Sequence, residues 1–174
     1  MYTGHFAFAI WARGSGLGFY ERIPLWLGFL LTQLPDLVLC AVTFPLGLEV
    51  GALDLRPTSQ GGRRGWTRMI IEYAPYTHGL LGSLIAAGAL LALASARYRS
   101  FAMSVPFALM YFSHFVCDLV VHTKQLHVDF SDSWRVGFGL WTVRGAGSAL
   151  EVAMLGWAWV LLRRELLSRV SQLL

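Results

Sequence analysis

The sequence predicts an all-α fold: a polytopic transmembrane bundle of four to five helices, one kinked at Pro35, forming a single domain over residues 1–174. Three observations lead there. Of 174 residues, 56% are hydrophobic and only 14% charged, with a mean hydropathy of +0.55; soluble domains run at about 45–50% apolar and about 25% charged. The apolar residues gather into runs close to the ~20 residues that cross a bilayer as a helix. Arginines close several of those runs, as they do beside membrane spans. So apolar a chain is not intrinsically disordered, and it does not read as a soluble globular domain.

Residues 3–20 are the weakest candidate. They are apolar but carry His5, Arg13 and four glycines, so a fifth span, a half-spanning element and an interfacial helix all stay open. Residues 23–48 form a long run broken by Pro35-Asp36, where proline removes a helix hydrogen bond and predicts a kink. Residues 79–96 hold no charge until Arg97 and Arg99. Residues 101–122 form a further span, interrupted by His114 and Asp118. Residues 145–162 form the last, with Glu151 inside and Arg163-Arg164 at the end. Two polar loops separate these runs: 49–77, which reads as ending in a short interfacial helix, and 123–144.

The net charge of +4 comes from 14 basic residues, mostly between apolar runs. Positive-inside placement and anionic headgroups account for them. No basic stripe interleaved with aromatics suggests nucleic acid. With five alternating spans, Arg13, Arg22, Arg97, Arg99, Arg163, Arg164 and Arg169 fall on one side. Arg56, Arg63, Arg64, Arg68, Lys124, Arg135 and Arg144 fall on the other. The counts are equal, but the first set lies tight against span ends, which predicts that its side is cytoplasmic. Cys40 and Cys117 lie in apolar runs without a CxxC pattern, so no disulfide framework is expected. The N-terminus lacks a basic n-region and does not read as a removable signal peptide.

The most informative feature is the set of ionisable residues in or at the ends of these runs: His5, Asp36, His78, His114, Asp118, His122 and Glu151. Each costs at least ~2.5 kcal/mol at membrane depth on the mildest scale. His114, Asp118 and His122 stand four apart, so on a helix they share one stripe about 12 Å long. Imidazoles and a carboxylate on one stripe are a ligand set for one or two ions such as zinc, manganese or iron. In the five-span arrangement the other four lie towards the same membrane face. Bland roles compete. Asp36 can cap a helix half, His114 and Asp118 can form a buried pair between helices, Glu151 can pair with Arg144, and the set can relay protons. His127, in a polar loop, is unassigned.

Several short motifs follow one another in order: Gly4-His5, Gln33-Leu34-Pro35-Asp36, Tyr76-Thr77-His78-Gly79-Leu80-Leu81, Ser113-His114 through Asp118 to His122, and Val136 to Trp141 followed by Glu151. In this order the chain resembles the LexA-regulated inner-membrane metal-dependent hydrolases, as an uncharacterised bacterial branch, over residues 4 to about 162. That family is distantly similar to zinc-dependent phospholipase C and the single-strand-specific zinc nucleases, helical enzymes with three zinc ions. The resemblance implies that His114 and Asp118 are the His-x-x-x-Asp pair, with Asp118 bridging. It matches Asp36, His78 and His5 to earlier ligands, His122 to a later one and Glu151 to the final one. The histidine expected four residues before Glu151 is replaced by Gly147, which favours one or two ions over three.

The expected function is therefore a membrane-embedded metal-dependent hydrolase acting on a phosphoester of a lipid or lipid-linked substrate, in the bacterial inner membrane. A divalent metal, zinc first, would be its cofactor. Arg144, or an arginine of 56–68, would neutralise the phosphate. The alternative is a non-enzymatic accessory or structural subunit of a larger membrane complex. Membrane lipids are the expected partners in both readings, and other membrane subunits in the second.

Overall fold

The computed structural model describes residues 2–54 and 68–172. The order is α1 (Tyr2–Gly14), a single turn α2 (Gly18–Glu21), α3 (Leu25–Val38) continuing into a π-helical turn (Leu39–Thr43), β1 (Val50–Asp54) and β2 (Arg68–Tyr73). Then come α4 (Leu80–Tyr98), α5 (Phe101–Val121), the two-residue strands β3 (Leu126–His127) and β4 (Arg135–Val136), a 3-10 turn (Leu140–Thr142) and α6 (Ala146–Ser171). Among the described residues, three segments are long and apolar enough to cross a membrane: Leu25–Thr43, Leu80–Tyr98 and Phe101–Val121.

Helix α5 is the axis of the bundle. It packs against α4, α3 and α1, and α1 lies along α6. The turn from α4 to α5 is tight: Arg99 adopts a left-handed conformation (φ 51°) and Ser100 caps α5 by accepting the amide of Met103. One core cluster gathers Ala12, Tyr20, Ile23, Leu31 and Met110; a second surrounds Cys117 and Val121. The outward face of α4 is greasy, with Ile85 56% and Leu93 69% exposed, as suits a helix apolar enough to cross a membrane. Both cysteines are free thiols.

Several expectations change. The stretch 3–20 becomes a helix of 13 residues, about 20 Å long and short of the ~30 Å hydrocarbon core. The last helix runs on through Arg163 and Arg164 to Ser171. Pro35 lies inside α3, which continues past it; the winding changes only at Leu39, where the π-turn begins. The 49–77 loop ends in a strand rather than an interfacial helix: β1 and β2 pair antiparallel, Leu53 opposite Met69 and Ala52 opposite Ile70. The run Met69-Ile70-Ile71 has the β-branched content that favours strands. Within 123–144, β3 and β4 also pair antiparallel. Arg56, Arg63 and Arg64 lie outside the described residues.

Close helix approach depends on glycine. A Cβ on Gly14 would sit 2.5 Å from the Leu162 backbone nitrogen and 2.7 Å from the Leu161 carbonyl carbon, so α1 and α6 touch backbone to backbone, as only a residue without a side chain permits. Gly14→Val is expected to push the helices apart at a cost of about 1–3 kcal/mol. Gly88→Ala, where a Cβ meets nothing within 4 Å, is expected to be neutral or stabilising. Thermal unfolding of the two variants in detergent checks this; equal melting temperatures would refute the close α1–α6 contact.

Candidate metal centre

The stripe on α5 places His114, Asp118 and His122 together because residues four apart share a helix face. All three are buried, at 1%, 2% and 7% exposure. Around them the fold brings His5 from the start of α1, Asp36 from the end of α3 and His78 from the turn before α4. The distances are consistent. Asp118 Oδ1 lies 3.3 Å from His5 Nε2 and 3.7 Å from His122 Nε2. Asp118 Oδ2 lies 3.3 Å from His114 Nε2 and 3.7 Å from His78 Nε2. Asp36 Oδ1 lies 3.1 Å from His78 Nε2 and 3.6 Å from His114 Nε2. The Nε2 atoms of His78 and His114 are 3.3 Å apart.

Two tight groups of donor atoms result: His5, His114 and Asp118, and Asp36, His78 and His114. The two oxygens of Asp118 face different imidazoles, which is the disposition a shared carboxylate needs. Ligand atoms held tetrahedrally at 2.0–2.2 Å from zinc are about 3.4 Å from one another. Charge-assisted N–H···O bonds are usually shorter, about 2.7–2.9 Å. The spacings of 3.1–3.7 Å are compatible with donor atoms gathered around one metal ion.

The outer nitrogens agree. His114 Nδ1 donates to the Thr32 carbonyl at 2.7 Å, a group that can only accept. His78 Nδ1 lies 2.8 Å from the Thr77 hydroxyl, and His122 Nδ1 3.2 Å from Gln125 Oε1. Rings whose Nδ1 carries the proton turn a bare Nε2 lone pair inwards. Lone pairs and carboxylates converging in a buried space repel unless a proton or cation lies between them, so this donor set fits a divalent ion. The ring of His5 stacks on that of His114, centroids 3.7 Å apart.

The remaining candidates stand apart. Glu151 accepts the hydroxyl of Thr3 and so ties α6 to the start of α1; it is in neither donor group. Arg144 is exposed before α6, and no described contact brings it to the cluster. At Gly147 a Cβ would lie 2.2 Å from Trp141 Cδ1. The indole of Trp141, itself 4.7 Å from the His122 ring, fills the space a histidine there would need. Comparison with protein-family models, curated proteins and solved structures returns no match.

Sequence reasoning missed Glu49. It is 2% exposed and sits below His78, accepting from the amides of Tyr76 (2.8 Å) and Thr77 (2.9 Å) and from the hydroxyls of Thr43 (2.6 Å) and Thr77 (2.8 Å). One signal was available: Glu49 is the only charged residue between Asp36 and Asp54.

The loop 123–139 covers this end of the bundle. The amides of Phe138 and Gly139 bond the carbonyls of Leu119 and His122, and Leu81 bonds Val128. His127, fully buried, reaches Asp132 Oδ1 at 3.1 Å. Arg135 Nε donates to the same oxygen at 2.8 Å while its Nη2 reaches the Glu72 carbonyl. Arg135 first, then His127, holds the Asp132 carboxyl below its ordinary value. A lowered folded value contributes stability above the unfolded one and loses it as pH falls through the folded one. Protection of the Val128 amide, bonded to the Trp134 carbonyl, is therefore expected to hold at pH 5 and fail only below about pH 3.9. Asp132→Asn should remove that pH step. A pH step that persists in Asp132→Asn would refute the part given to this carboxyl.

Proposed function

We propose that this chain is a membrane-embedded metal-dependent hydrolase acting on a phosphoester of a lipid or lipid-linked molecule. One observation carries the reading: four buried imidazoles present Nε2 to two carboxylates at 3.1–3.7 Å, while three of them keep Nδ1 on an outer partner. Asp36, His78 and His114 would hold one divalent ion and His5 and Asp118 a second, with His114 between the two groups; His122, in neither group, lies 3.7 Å from Asp118 at the edge of the cluster. Zinc suits such a nitrogen and oxygen set. Bound ions supply Lewis acidity, lowering the pKa of a water and neutralising phosphate charge.

The chain's own groups supply the rest. Asp36, with a side chain 33% exposed against 3% for Asp118, is the carboxylate placed to take a proton from attacking water. Thr32 and Gln125 orient His114 and His122. Arg135 is engaged by Asp132 and Glu72, which leaves Arg144 and Lys124, both exposed, to meet a phosphate. The lipid assignment is supported by the cluster's position at one end of the apolar helices and by Trp134 and Phe138, exposed by 69% and 77% in the loop beside it. Aromatic side chains of this kind favour the headgroup level. The bacterial inner membrane rests on the family resemblance alone.

Element-resolved analysis of purified protein tests the site. We expect zinc or manganese in the wild type and its loss in the His114→Ala, Asp118→Ala double variant. Hydrolysis of a phospholipid or polyprenyl phosphate in mixed micelles should disappear with chelation and return with the ion. Unchanged metal content in the variant would refute the site. Bound metal without hydrolysis of any phosphoester would favour the accessory-subunit reading.

A further inference from the structure

We infer that Glu49 is a positioning residue that fixes the protonation of His78 through Thr77, and so keeps His78 Nε2 available to an ion. The inference rests on the metal-site reading for its purpose, but the proton arrangement it describes belongs to the chain alone.

The argument is a count of protons. Glu49 Oε1 accepts the amides of Tyr76 and Thr77. Oε2 accepts the hydroxyls of Thr43 and Thr77. A carboxylate only accepts, so the single proton of the Thr77 hydroxyl points at Glu49. Thr77 Oγ1 then has only lone pairs to offer His78 Nδ1 at 2.8 Å, and His78 must be the donor there. A neutral His78 therefore carries its proton on Nδ1 and leaves Nε2 bare, facing Asp36, Asp118 and His114. Partners one step behind a metal-binding imidazole fix its tautomer and orientation, and losing one typically costs about 10- to 100-fold in metal affinity. Glu49 precedes β1 and Thr77 follows β2, so the base of the β-hairpin is clamped to the same relay.

Glu49→Gln isolates the effect because shape is preserved. The amides of Tyr76 and Thr77 still require the amide oxygen, which forces the new NH2 group toward Thr43 and Thr77. Thr77 must now accept from Gln, its own proton turns toward His78 Nδ1, and the His78 proton moves to Nε2.

The test has two readouts. In metal-free protein, long-range 15N–1H correlation of the imidazoles reports which nitrogen of His78 is protonated. We expect Nδ1–H in the wild type and in Thr77→Ser, and Nε2–H in Glu49→Gln. Zinc affinity, measured by chelator competition, should fall about 10- to 100-fold in Glu49→Gln and Thr77→Val, with Thr77→Ser restoring it. A wild-type His78 tautomer in Glu49→Gln overturns the proposal, as does wild-type zinc affinity in both variants. If Glu49→Gln fails to fold, the Thr77→Val and Thr77→Ser pair decides: equal affinity in the two overturns the relay. A wild type that binds no zinc, yet shows the tautomer switch, refutes the metal reading and leaves the relay standing.

Discussion

The structure depends on one carboxylate that water does not reach. Asp118 is 2% exposed on the central helix, and an ion removed from water loses several kcal/mol of hydration that its surroundings must return. Four imidazoles face it, from the start of α1, the turn before α4, the last turns of α5 and its cap, and a proton or cation shared between them and the carboxylate would return it. Any rearrangement that withdraws α1 or the 74–78 turn strips a partner from a buried charge. The helices are thus registered at this end by electrostatics and at the other by apolar packing around Ala12, Ile23 and Met110.

Close backbone approach makes this registration attainable. Gly82 lies so near the preceding turn that a Cβ there would fall 2.3 Å from the Tyr76 carbonyl oxygen. Gly137, with φ 148°, lets the 123–139 loop lie flat on the end of α5, where a Cβ would come within 1.9 Å of the Thr123 carbonyl. The polar cluster is therefore lined by backbone as well as by side chains, and the Thr32 carbonyl that orients His114 is one such group.

What the sequence disclosed follows from which interactions leave a local trace. The His114, Asp118, His122 stripe is set by helical periodicity and could be read directly, as could α4 and α5, whose ends are marked by Arg97, Arg99 and His122. The approach of His5, Asp36 and His78 was legible only as a shared membrane side, because contacts between segments leave no mark on spacing. Glu49 escaped because its four donors come from two separate stretches, Thr43 and Tyr76-Thr77, and two of them are backbone amides, which carry no residue identity. The β-hairpin escaped because a polar, glycine-rich connection between apolar runs resembles a loop until Val50 and Ile70-Ile71 are weighed for strand preference. Gly147 read as a missing ligand; in the fold the space beside it is taken by a ring from six residues earlier in the sequence, Trp141. This substitution of one bulky group for another is visible only in three dimensions.

Asp36 differs from its neighbours in one respect that bears on time rather than on strength. Its side chain is a third exposed, whereas those of His5, His78, His114 and Asp118 are at most 3% exposed. Among the described residues it is thus the donor through which the cluster communicates with its surroundings. An ion entering the cluster would meet Asp36 first and part from it last. The inner donors would then set how tightly it is held, and the single carboxylate after Pro35 how quickly it is exchanged.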